Sequence, residues 1–159
     1  MTDHHDAAAA RLPRTDVRTD IPTRQAPLKW VVVVDEDLPA GRAANAAACM
    51  AAAVGKALPD LLGSDGHDGS GTAHAGLPWA GCSVLAADAA TVRELREKAV
   101  GKEGFFVADM PEAAQTSRVY DAYLDQLAGT KREDLTYLAV SFVGPRNQVG
   151  KLVGRLALL

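Results

Sequence analysis

Four consecutive valines, Val31 to Val34, stand between Trp30 and the acidic run Asp35-Glu36-Asp37. A strand with one wet face alternates apolar and polar side chains. An unbroken β-branched run offers water no polar side, so it predicts a strand covered on both faces. That feature requires helices above and below a sheet. The next segment supplies the first of them. After Pro39, the stretch from Gly41 through Arg42, Asn45 and Cys49 to about Leu58 is built from strong helix formers, mostly alanine, and stops before Pro59. Strand, short loop and helix form the first half of a β-α-β unit.

The alternation continues downstream. Residues 63–76 fall to Gly, Ser, Asp, His and Thr, which predicts a mobile surface loop. A second strand fits Cys82 to Ala86, followed by Asp88 as N-cap and a helix through Ala99 whose inner face is Val92, Leu95 and Ala99. Phe105-Phe106-Val107 predicts a short third strand ending at Ala108-Asp109, and a helical region spans Pro111 to Ala128 with Gly129 as its stop. Leu135 to Val143 predicts the last strand, cut off by Gly144-Pro145, and Val149, Leu152, Val153 and Leu156 mark a final short helix. The expected architecture is a single three-layer α/β/α domain over residues 28–159, with a small, mostly parallel or mixed four-stranded sheet. Residues 1–27 carry charges, Thr and Pro without any period and predict a disordered extension.

Composition removes several functions. The chain has 159 residues and a formal net charge of −3, so its overall field does not favour nucleic acid. Two cysteines make neither a disulfide framework nor a four-ligand zinc site, and Cys49 and Cys82 read as buried structural thiols. The absence of a signal core and of an apolar run of ~20 residues leads to the expectation of a cytoplasmic protein without a membrane partner. No metal or cofactor is expected. His4-His5 read as solvated histidines of the extension, the His67, Asp68, His74 group matches no familiar ligand spacing, and Gly41 and Gly144 lack the neighbouring glycines of a phosphate loop.

Ligands of open α/β sheets gather beyond the carboxyl ends of strands. That rule selects Asp35 to Asn45, Asp109 to Thr116, and Ser141 to Asn147. A carboxylate closing a short apolar strand, as Asp109 does, can act as a base or orienter, or as the N-cap of the helix at Pro111. The small side chains of the helix from Gly41 to Ala57 allow close approach by its own sheet or by a second subunit.

Taken together, these residues resemble a known family. Lys29-Trp30 with the valine run, then Asp37-Leu38, Gly41-Arg42, Ala46-Ala47 and Cys49, is similar to the opening of the archaeal/eukaryotic type of peptidyl-tRNA hydrolase. The end is similar too, in Thr136-Tyr137-Leu138, Gly144-Pro145 and the closing segment Val149 to Leu159. The resemblance is closest to an uncharacterised bacterial branch of that fold, through Asp35 to Leu38 with Asn45, Ala114-Gln115-Thr116, the Tyr120 to Tyr123 helix and Gly144-Pro145. It implies a catalytic set of Arg42, Asp109 and Thr136, with Thr116 on a hydroxyl position of the site, while the strand-end rule adds Asp35, Asn45 and Asn147 as substrate-binding candidates. Departures accompany the match: a family lysine is Ala44, the helix glutamine is Ala48, and the histidine after the cysteine is Ala51. Arginine also cannot donate a proton near neutral pH as a lysine can.

Two expectations follow. Under the first, the chain cleaves the ester between peptide and tRNA, with Arg42 holding phosphate or the developing oxyanion and Asp109 with Thr136 orienting water. Under the second, the fold persists as a non-hydrolytic small-ligand-binding or assembly protein, homodimeric through its small-residue helix, with a pocket near Asp35, Asn45 and Asp109. A contiguous basic face around Arg42 favours tRNA, and acidic neighbours favour the second reading.

Overall fold

The computed structural model describes residues 16–159. The valine run lies in β1 (Leu28–Asp35), where Trp30 to Val34 are all buried. After a tight acidic turn comes α1 (Ala40–Ala57), which buries Ala43, Ala46, Met50 and Val54, a single stripe along the helix. A small exposed hairpin of β2 (Gly66–His67) and β3 (Ala73–His74) interrupts the connection to β4 (Ser83–Ala87). Then follow α2 (Ala89–Val100), β5 (Phe106–Pro111), α3 (Glu112–Thr116), α4 (Tyr120–Gly129), β6 (Tyr137–Pro145) and α5 (Arg146–Val153).

The result is a mixed α/β fold around a four-stranded sheet in the order β4-β1-β6-β5. β1 runs parallel to β4 and antiparallel to β6, and β6 runs antiparallel to β5. The valines divide between two layers, as period-two geometry demands. Val31 and Val33 pack with Val92, Leu95 and Ala99 of α2 and with Val149 and Val153 of α5. Val32 and Val34 face the other way, onto Ala43, Ala46 and Met50 of α1. Inside the sheet the buried Ser141 hydroxyl accepts a 2.8 Å hydrogen bond from Trp30 Nε1 and donates to the Val31 carbonyl at 3.2 Å. The outer edge of β4 is closed by residues 157–159, with Ala86 N donating to the Ala157 carbonyl and Leu159 N to that of Val84.

Several expectations need correction. Asp109 lies inside β5, which runs on to Pro111, so it caps no helix. The helical region predicted over Pro111 to Ala128 is two helices, because Ser117 and Val119 adopt extended backbone between α3 and α4. Cys49 and Cys82 are exposed rather than buried. Residues 16–27, expected to belong to a disordered extension, carry structure. Thr23–Gln25 form a 3-10 turn, Ala26 is 1% exposed, and the Arg146 guanidinium donates to the carbonyls of Thr23, Ala26 and Leu28. The rest of that expectation, residues 1–15, lies outside the described residues. The loop over 63–76 holds the β2-β3 hairpin, tied at its base by the Asp65 carboxylate accepting from Gly76 N at 2.8 Å.

Candidate functional site

Strand direction sorts the candidate residues. β1, β4 and β5 all point one way, since β1 and β5 are each antiparallel to β6. Their carboxyl ends therefore bring Asp35, Asp88 and Glu112 to one end of the sheet, together with Glu36 and Asp37 of the β1–α1 turn and with Thr136 at the entry to β6. The carboxyl end of β6 lies at the opposite end, so Asn147 is separated from Asp35 by the length of the sheet.

At the acidic end, the Asp35 carboxylate accepts from Asp37 N at 3.1 Å, which fixes the turn that starts α1. One turn into α1, Arg42 Nε donates to Gln115 Oε1 at 2.8 Å. The Gln115 amide donates in return to the Arg42 carbonyl at 2.9 Å and to Asn45 Oδ1 at 3.2 Å. Arg42, Asn45 and Gln115 thus form one polar knot joining α1 to α3. Gln115 was visible in sequence only as part of a resembling segment, because its partners lie some seventy residues upstream. Thr116 is not aimed at this knot: its hydroxyl donates back to the Glu112 carbonyl at 3.2 Å. Thr136 is exposed, and its carbonyl accepts from Glu112 N at 2.9 Å.

Asp109 belongs to the other side of the sheet. Its neighbour Met110 packs with α1, so Asp109 projects toward α2, where its carboxylate accepts from Arg96 Nε at 3.0 Å. The pair is mostly enclosed, with side-chain exposures of 18% for Arg96 and 23% for Asp109. The Arg96 guanidinium also lies 4.8 Å from the centre of the Tyr137 ring, and that of Arg93 lies 5.5 Å from it. Burial raises the Tyr137 phenol above its usual range against the opposing pull of Arg96, and its hydroxyl has no hydrogen-bond partner among the described residues. Arg93 and Arg96 were not singled out in sequence. Their spacing of three puts them on one helix face, but only the fold supplies Tyr137 and Asp109 beneath it.

The three catalytic candidates therefore do not converge. Arg42 is tied to Gln115 on the α1 side, Asp109 to Arg96 on the α2 side, and Thr136 stands at the strand entry. What α1 does border is an apolar cleft of about 420 Å³ lined by Leu38, Ala43, Ala44, Ala47, Val84 and Leu159. It opens on the flank of α1 away from Arg42 and beside the β4 edge. Among the described residues there is no cluster of three metal-ligating side chains, and no helix is long and apolar enough to cross a membrane.

A mixed four-stranded sheet between one helix on one face and two on the other, with a small-residue helix bordering an apolar cleft, defines the class of fold. Within that class, residues 28–159 match the model of a family described as "Protein of unknown function (DUF2000)", and the chain belongs to that family. A solved structure of a protein of unknown function from Agrobacterium tumefaciens strain C58 superposes with a TM-score of 0.76 at 16% identity, covering 84% of this chain and 98% of that one. At that identity the likeness establishes the fold alone. No protein with a curated description matches the chain.

Proposed function

We propose that this protein is a non-hydrolytic binding protein that takes a small, uncharged apolar ligand in the cleft between α1 and the β4 edge. The observation that carries this reading is the cleft's lining, where alanines of α1 leave room that larger side chains would fill. The distribution of polar groups supports it. Ester hydrolysis needs an oriented water and a stabilised oxyanion within one hydrogen-bonded constellation. Here the carboxylate and the arginine assigned to those tasks hold partners on opposite faces of the sheet. The neighbourhood of Arg42 is acidic, with Asp35, Glu36, Asp37 and Glu112 at the same sheet end, and a polyanion would be repelled from it.

The test is an NMR titration of the full chain with indole and with cyclohexanol, following the alanine and valine methyl groups. Saturable shifts confined to Ala43, Ala44, Ala47 and Val84 are expected. Ala44 is solvent-exposed, so Ala44→Phe fills the cleft without entering the core and should weaken binding about tenfold or more. Absence of saturation, or equal affinity in Ala44→Phe, refutes the reading. Release of N-acetylated amino acid from acylated tRNA, abolished by Asp109→Ala, would replace it with hydrolysis. A concentration-dependent dimer in sedimentation, lost in Ala44→Phe, would assign the cleft to a second copy of the chain.

A further inference from the structure

An open cleft of about 470 Å³ at the other end of the sheet is lined by Lys29, Arg146, Asn147, Gly150 and Lys151. Its construction follows from the topology. Lys29 is the second residue of β1 and shares a face with Val31 and Val33, the face on which α5 packs. α5 starts directly after β6 returns to this end, and Asn147 and Lys151 are one turn apart on it. Gly150 leaves the floor open, since a Cβ there would meet no atom within 4 Å.

The charges here are uncompensated. Among the described residues no carboxylate lies within ion-pair distance of Lys29, Arg146 or Lys151, although the chain as a whole is acidic. The guanidinium of Arg146 is occupied by the carbonyls of Thr23, Ala26 and Leu28, so it forms the wall while the lysines keep their donors. No side chain caps the first turn of α5, whose dipole adds positive potential at the same place. Gathering three cations without counter-charges costs repulsion that an anion would relieve.

We propose that this cleft binds a small phosphorylated molecule through its phosphate group, with Lys29 and Lys151 as charged donors and Asn147 supplying an amide donor. A single dianion matches a compact set of cations. RNA would need positive charge strung along several phosphates, and the far end of the sheet carries carboxylates instead. The site is independent of the apolar cleft beside α1.

The test titrates the full chain at low salt with inorganic phosphate and with glycerol 3-phosphate, reading backbone amide shifts. Saturable shifts at Lys29 and at Asn147 to Lys151 are expected. The Lys29→Gln/Lys151→Gln double variant should weaken binding about tenfold or more, while Lys56→Gln on α1 leaves it unchanged. Gly150→Glu places a carboxylate into open space and should abolish binding without lowering the melting midpoint. The proposal is overturned by absence of saturation, by equal weakening in Lys56→Gln, or by a short single-stranded RNA binding through the same lysines when neither phosphate compound binds.

Discussion

Replacing Asp109 by alanine distinguishes a residue that holds the fold together from one that performs chemistry. In the native protein its carboxylate accepts from Arg96 Nε at 3.0 Å, in a pair mostly withdrawn from water. Fully exposed pairs contribute about 0–1 kcal/mol, whereas hydrogen bonds to charged groups in enclosed settings contribute about 1.5–3 kcal/mol. Arg96 would not be stranded, because Glu97 Oε1 stays 3.2 Å from its Nη1 and the Tyr137 ring stays beneath it. These remaining partners limit the loss to about 1.5 kcal/mol, or a fall of about 3–6 °C in melting midpoint for a chain of this size. Urea unfolding near pH 7 of the native chain, Asp109→Ala, Arg96→Met and the double variant completes the cycle, with a coupling of about 1 kcal/mol expected between the two sites. An unchanged midpoint in Asp109→Ala together with zero coupling would refute the structural role. Ester release lost without loss of stability would point back to catalysis.

Two further outcomes follow from single hydrogen bonds. Ser141→Ala removes the acceptor of the buried Trp30 indole N–H and should cost about 2 kcal/mol in urea unfolding, with a shift in tryptophan emission; an unaltered midpoint would mean that the bond is not stabilising. Asp88 accepts from Thr91 N at 2.7 Å at the start of α2, and this backbone hydrogen bond holds its carboxyl below the usual range. A carboxyl depressed in the folded state stabilises above its unfolded pKa of about 4 and loses that contribution as pH falls through the folded value. Asp88→Ala should therefore melt below the native chain near pH 7, with the gap closing as the pH falls below the unfolded pKa of about 4. A gap independent of pH would show that the charge is not involved.

The layers were legible because they rest on local chemistry. A valine run with no polar side demands cover on both faces, and the structure divides that cover between α1 and the α2/α5 pair, residue by residue. The break between α3 and α4 was not legible, because Tyr120, Leu124 and Leu127 keep helical spacing. α4 nevertheless buries none of its side chains, so its periodicity reflects a surface stripe rather than a core face. Cys49 misled for a similar reason, since a helix of alanines has the same composition on its buried and exposed sides.

The site was harder to read because one strand reverses. The rule that ligands collect beyond strand carboxyl ends groups Asp35, Asp109 and Asn147 only if every strand points the same way. β6 runs against β1, so its closing turn delivers Asn147, with Arg146 and Lys151, to the end that β1 enters through Lys29. The same reversal leaves the carboxylates of three co-directed strands without those cations. Asp35, Asp88 and Glu112 are thus gathered at one sheet end, and Lys29, Arg146 and Lys151 at the other. Asp109 was separated from Arg42 by a second, finer effect: alternation along β5 turns Met110 toward α1 and Asp109 toward Arg96. Net charge and spacing carry neither piece of information, whereas strand direction and residue parity fix both. Those two quantities set the apolar cleft beside α1 and the cleft of Lys29, Asn147 and Lys151 beside α5 at separate places on the fold.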